Sequence, residues 1–174
     1  WGSSAIGFNT TFKLRMGLAS PLPTVKVGVI DTGVSLSHNQ IKNRLIETGF
    51  NSSDSGITGS EIDDNGHGTH VAGIIAQNTL SNVKICGYKV LNRYGTGTIV
   101  MIMQGLNQAY HSGCQVVNLS LTGWNGTPTY DVYSQAYDFL ASHNIVCCVA
   151  AGNDGEDCSN LAPAQYDECI TVAA

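Results

Sequence analysis

Val27-Gly28-Val29-Ile30-Asp31-Thr32-Gly33 reads as a buried strand that delivers one carboxylate at its end. Its apolar β-formers run without polar alternation, as expected where both faces of a parallel sheet are covered. A second stretch, Asp64-Asn65-Gly66-His67-Gly68-Thr69-His70-Val71-Ala72-Gly73, reads as a Gly-rich turn entering a small-residue helix, with an imidazole at the turn. Outward from these two, strand and helix patterns alternate. Further strands are predicted over Val83–Leu91, Gln115–Leu121, Asn144–Ala150 and Ile170–Ala173, after a first over Val25–Ile30. Helices are predicted over Thr69–Gln77, Thr98–His111 and Tyr130–His143, the second of them apolar nearly all round and therefore heavily buried. This alternation predicts an α/β fold: three layers, a mostly parallel sheet with helices on both faces, and right-handed crossovers. No repeat or linker breaks the pattern. One domain is expected, with an amino-terminal arm over residues 1–24 and a β/α core over 25–174. The arm carries a short helical pattern around Phe12–Gly17.

Composition narrows the function classes. The chain has 174 residues, 43% of them hydrophobic and 12% charged, which suits a globular domain with a sizeable core. A net charge of −5 argues against a nucleic-acid or anionic-membrane surface. The charge is uneven: all the Lys and Arg residues lie at or before Arg93, and the remainder carries acids only. No stretch approaches the ~18 consecutive apolar residues of a membrane helix. Six cysteines show no Cys-x-x-Cys pair. Cys158 and Cys169 flank a loop and could pair, whereas Cys147 and Cys148 lie in an apolar run and suit packing.

In sheets of this kind functional groups gather at the carboxyl ends of the strands. Asp31 follows the first strand, Gly95-Thr96-Gly97 the second, Ser120-Leu121-Thr122-Gly123 the third and Gly152-Asn153 the fourth. A general base working near neutral pH calls for imidazole, which His67 supplies. A carboxylate that fixes its tautomer calls for Asp31. A neutral donor for a developing oxyanion calls for a carboxamide such as Asn153. Asp-Thr-Gly also occurs in aspartic proteases, but those are all-β, which the alternation here opposes. His67 with His70 as metal ligands, helped by Asp63 and Asp64, is the other reading, and no His-Glu-x-x-His pattern supports it. His70 is expected to be packed or bonded to backbone.

Four motifs together resemble the subtilisin-like serine proteases. They are Val29-Ile30-Asp31-Thr32-Gly33, His67-Gly68-Thr69-His70-Val71-Ala72-Gly73, Val117-Asn118-Leu119-Ser120-Leu121 and Ala150-Ala151-Gly152-Asn153, in the family's order. The resemblance implies a secreted or cell-surface serine endopeptidase acting on peptides or proteins. Asp31 looks like the triad acid, His67 the base and Asn153 the oxyanion donor. Gly95, Thr96, Gly97, Ser120, Leu121 and Thr122 look like two backbone edges flanking an extended substrate, and Gly152 and Asp154 like the rim of the primary specificity pocket. Asp154 there implies a mild preference for Lys or Arg, or at least tolerance of them, before the scissile bond.

The family's nucleophile, a Ser in a Gly-Thr-Ser-Met-type motif, is not found in this sequence. Ser159, the only serine after Asn153, has the wrong context. The chain is therefore expected to be the amino-terminal part of a catalytic domain, inactive and poorly stable alone, with a second chain or fragment completing it. A non-catalytic subtilase-like binding or regulatory protein lacking the nucleophile remains the alternative. Calcium occurs in the family. Here His38-Asn39-Gln40 offers no carboxylate and the loop from Gln77 to Asn82 is short, so the main site is expected to be missing and no cofactor is implied.

Overall fold

The structure is a computed structural model that describes residues 22–53, 63–124 and 130–173. Most of the arm expected over residues 1–24, with its short helical pattern, lies outside the described residues. In chain order the elements are β1 (Val25–Asp31), β2 (Leu45–Asn51), α1 (His67–Gln77), β3 (Val83–Lys89), α2 (Ile99–His111), β4 (Val116–Leu119), β5 (Gly123–Trp124), α3 (Tyr130–Ser142), β6 (Val146–Ala150), β7 (Leu161–Ala162) and β8 (Cys169–Val172). A single 3₁₀ turn, Cys158–Asn160, precedes β7.

Six strands form one parallel sheet in the order β2-β3-β1-β4-β6-β8, and β5 and β7 form a small antiparallel pair. From β1 the chain first runs out to the edge strand β2 and returns through β3. It then crosses back through α2 and builds the other way through β4, β6 and β8. The order therefore reverses beside β1, and such a reversal leaves a crevice at the carboxyl ends of the strands. Asp31, the last residue of β1, lies there.

Among the described residues two clusters make the core. On one face Ile30, Tyr88, Val117, Leu119 and Val149 pack under α2 and α3, through Leu106, Ala109, Tyr137 and Leu140 among others. On the other face α1 lays Val71, Ala72 and Ala76 against Val29 and Ile85. Each fully buried branched side chain contributes about 1.5–3 kcal/mol, so the central strands are held from both sides. The second face of β6 and β8 differs: Val146, Ile170 and Val172 are 42%, 56% and 57% exposed.

The structure departs from the sequence-based expectations in several places. β2, β5 and β7 are strands where none is predicted. α2 buries one stripe, Ile102, Gly105, Leu106 and Ala109, and exposes Val100, so it is amphipathic rather than heavily buried. β3, β4 and β6 are shorter than the apolar runs that predict them, because those runs continue into the loops at the strand ends. Cys158 and Cys169 are both free, and Cys169 faces Cys147 in the β6–β8 register. His70 is exposed on the outer side of α1, where it lines a groove with His38.

Candidate active site

The site is assembled from the ends of β1, β3, β4 and β6 and from the start of α1. Asp31 is fully buried. His67, first residue of α1, sets Nδ1 at 2.8 Å from Asp31 Oδ1 and 2.9 Å from Oδ2, while its side chain stays 47% exposed. An Nδ1–H donating to a carboxylate leaves Nε2 as the lone-pair nitrogen. Burial pushes the Asp31 carboxyl above its ordinary value of 3.8; hydrogen bonds from His67 and from the Thr32 N–H oppose this without cancelling it.

The local sequence explains why the two groups meet. Gly66 has φ of 100°, a left-handed conformation that turns the chain into α1 with no Cβ penalty. Gly68 follows His67 at a place where a Cβ would run into the Gly33 carbonyl oxygen. Only glycine lets the first turn of α1 approach the Asp31 turn this closely. Thr32 then ties the two together. Its Oγ1 accepts from the Gly68 N–H at 2.9 Å and donates to Asp63 Oδ1 at 2.8 Å. Asp63 also accepts from the N–H groups of Gly66 and Thr69, both at 2.8 Å, so it caps α1 from outside the helix. Burial works against its charge, but hydrogen bonds from Thr69, Gly66 and Thr32 outweigh it and hold the Asp63 carboxyl below its ordinary value.

Above this floor lies a cleft of about 330 Å³ lined by Thr32, Asn65, His67, Leu91, Gly95, Ser120, Leu121, Thr122, Ala150 and Asn153. It thus brings His67 and Asn153 together with Gly95, Ser120, Leu121 and Thr122. Thr96 and Gly97 do not line it. Thr96 closes its own turn through Asn92, and Gly97 lies against the Val90 carbonyl, with no room for a Cβ. Gly152, with φ of 101°, makes the turn that carries Asn153, close to Leu161 and Thr122. Asp154 is exposed and does not line the cleft. Among the described residues no three His, Cys, Asp or Glu side chains form a group that could hold a metal ion.

Thr32, Asn65, Leu91, Ala150 and Lys89 join the site without having been given a role by sequence reasoning, and Asp63, named there only as a helper in the metal reading, caps α1 instead. Asn65 accepts from the His67 N–H at 3.1 Å and donates to the Arg93 carbonyl at 2.9 Å. For Lys89 a signal exists: it stands in the apolar end of the run Val83–Leu91, and a buried lysine implies a partner.

The subtilase family model matches residues 23–174. The chain belongs to the subtilase family. It is 40% identical over 161 residues to subtilisin DY of Bacillus licheniformis, covering 86% of this chain and 56% of that protein. It is 36% identical over 163 residues to an intracellular serine protease of Paenibacillus polymyxa, covering 86% of this chain and 49% of that protein. Among solved structures, a cold-adapted subtilisin-like serine proteinase superposes with a TM-score of 0.73 at 32% identity, covering 86% of this chain and 54% of that one. This subtilase chain therefore spans about half the length of these relatives. No described helix is long and apolar enough to cross a membrane.

Proposed function

We propose that this chain supplies the acid, base and oxyanion-donor part of a subtilisin-type serine endopeptidase whose nucleophilic serine lies outside this stretch of sequence. The observation that carries this reading is the Asp31–His67 contact opening into the same cleft as Asn153. In the reaction, His67 Nε2 takes the serine hydroxyl proton as the serine oxygen attacks the substrate carbonyl. Asp31 keeps the imidazole oriented and stabilises its charged form. The Asn153 carboxamide donates to the tetrahedral oxyanion. His67 then gives its proton to the leaving amine as the C–N bond breaks, and water repeats the sequence on the acyl-enzyme. The substrate runs extended between Gly95 and the Ser120–Thr122 segment, with Gly152 in the turn that carries Asn153 and Asp154 exposed beyond it, outside the lining of the cleft.

The rest of the domain, or a second chain, would complete the site. The exposed apolar face of Val146, Ile170 and Val172 favours this, since a contiguous apolar patch marks a surface made to be covered. A secreted or cell-surface location rests on family resemblance alone, and fractionation of the source cells tests it. The decisive assay is fluorophosphonate labelling of the full-length protein. A labelled serine supports the proposal; no labelling, with another residue at the serine position, favours a non-catalytic binding protein. Peptide profiling of the active enzyme tests Asp154: enrichment of Lys or Arg before the cleaved bond is expected, and indifference to charge there removes Asp154 from the specificity pocket.

A further inference from the structure

Lys89 is a buried cation that the reaction as proposed does not use. It is 5% exposed, at the end of β3, in direct register with Asp31 on β1. Its Nζ donates to three acceptors: the Thr32 carbonyl at 2.8 Å, Asp64 Oδ1 at 2.7 Å and the Leu91 carbonyl at 2.9 Å. An ammonium has three protons, so its hydrogen-bonding capacity is filled. Asp64 is itself only 14% exposed. Burying such a pair is not explained by stability, because well-packed apolar replacements of buried ion pairs are often neutral or better. What the three contacts have in common is location. Thr32 follows the acid. Asp64 lies in the turn that leads into His67. Leu91 lines the cleft and its N–H, with that of Val90, bonds the Asp31 carbonyl.

We propose that Lys89 is a positioning residue: through one ammonium it locks the Asp31 turn, the approach to His67 and the Leu91 wall of the cleft into a single arrangement. The proposal deepens the endopeptidase reading and rests on it for the catalytic consequence, but the lock itself is a property of the Asp31–His67 pair. Thr32 already bridges to Gly68 and Asp63 on one side of the pair. Lys89 adds a second tie to the same turn through its carbonyl. Two ties at different points restrain rotation as well as distance, and the orientation of His67 depends on both. A ~1 Å misplacement of catalytic groups can cost about 10²-fold in rate.

The test uses the full-length protein with Lys89→Met, Lys89→Arg and the double variant Lys89→Met/Asp64→Asn, the last removing the stranded carboxylate so that folding is preserved. Three readouts are taken: thermal melting, kcat and KM on a peptide substrate, and the downfield proton resonance of the His67 Nδ1–H. In the double variant kcat is expected to fall by about 10-fold or more with KM within about twofold, since orientation acts on the chemical step. The resonance should broaden or shift upfield. Lys89→Arg is expected to recover little, because a planar guanidinium does not present three donors from one atom. A double variant with wild-type melting, kcat and resonance overturns the proposal and leaves Lys89 a structural ion pair. If the wild-type protein itself has no peptidase activity, the endopeptidase reading fails, and the resonance alone decides the lock: unchanged in the double variant, it refutes it.

Discussion

The two halves of the sheet are built to different specifications. In the half formed by β2, β3 and β1, both faces of the central strands are covered, and the functional side chains are tied by hydrogen bonds that run between segments far apart in sequence. Asp31, Thr32, Asp63, Asp64, His67 and Lys89 restrain one another there. In the half formed by β4, β6 and β8, one face is packed under α3 and the other exposes Val146, Ile170 and Val172. Asn153, the carboxamide this half contributes to the cleft, is exposed. On the proposed mechanism, the difference follows the chemistry each half would do. A base must hold one tautomer and one direction, which takes several fixed partners. An oxyanion donor acts only once substrate and nucleophile are in place, so its own half can be finished by another part of the molecule.

The sharpest way to break this comparison is to remove one group from each half of the full-length protein and measure peptide hydrolysis. His67→Ala is expected to lower kcat by about 10⁴-fold or more, since the general base has no substitute. Asn153→Ala is expected to lower it by about 10²–10³-fold with KM nearly unchanged, as for loss of one oxyanion donor. Equal losses from the two variants would mean that the halves do not divide the work in this way. A second contrast sits within α1. Gly68→Ala forces a Cβ into the Gly33 carbonyl and is expected to destabilise by about 1–3 kcal/mol. Gly73→Ala meets nothing within 4 Å in the same helix and is expected to stabilise by up to about 1 kcal/mol. Thermal melting of the two variants checks this. If Gly68→Ala melts like the wild type, the close approach of the helix to the Asp31 turn is not what positions His67.

The same division shows in what the sequence discloses. The central strands are legible because apolar runs such as Val25–Ile30 are too short for a helix and too apolar for a loop. β2 is not, because Leu45-Ile46-Glu47-Thr48-Gly49-Phe50-Asn51 carries a Gly, an Asn and a charge, and its register with β3 shifts twice. An edge strand tolerates both, since only one side must pair. Sequence pattern starts α1 at Thr69 rather than His67 because its cap, Asp63, lies outside the helix and sends no N-cap signal at Gly66. Asp31 and His67 stand out by residue type and family resemblance, but their contact joins positions 36 residues apart, and no local pattern encodes it. Lys89 escapes for a related reason. Its role lies in three acceptors that converge only after β1, β3 and α1 are packed.

The smallest expected effect concerns pH, and it separates two carboxylates within the same tied half. Asp63 has a carboxyl held below its ordinary value of 3.8 in the folded chain. A depressed carboxyl stabilises the fold at pH values above the unfolded value, and that contribution is lost as pH falls through the folded one. Asp31 has the opposite sign. Its carboxyl is raised above 3.8 by burial, so its ionisation opposes folding above the folded value, and that cost disappears as pH falls toward 3.8. Melting temperatures of the wild type, Asp63→Asn and Asp31→Asn between pH 7 and pH 3 should therefore diverge in opposite directions. Asp63→Asn should be less stable than the wild type at neutral pH and approach it below pH 3.8. Asp31→Asn should be more stable than the wild type at neutral pH, with the gain shrinking as acid neutralises the wild-type carboxyl. A carboxylate held against its own burial, the one proposed to orient His67, and one held in favour of the fold are then told apart by one titration. If both variants move the same way with pH, the network around Asp63 serves the charge on Asp31 rather than the start of α1, and the helix cap is the weaker part of the clasp.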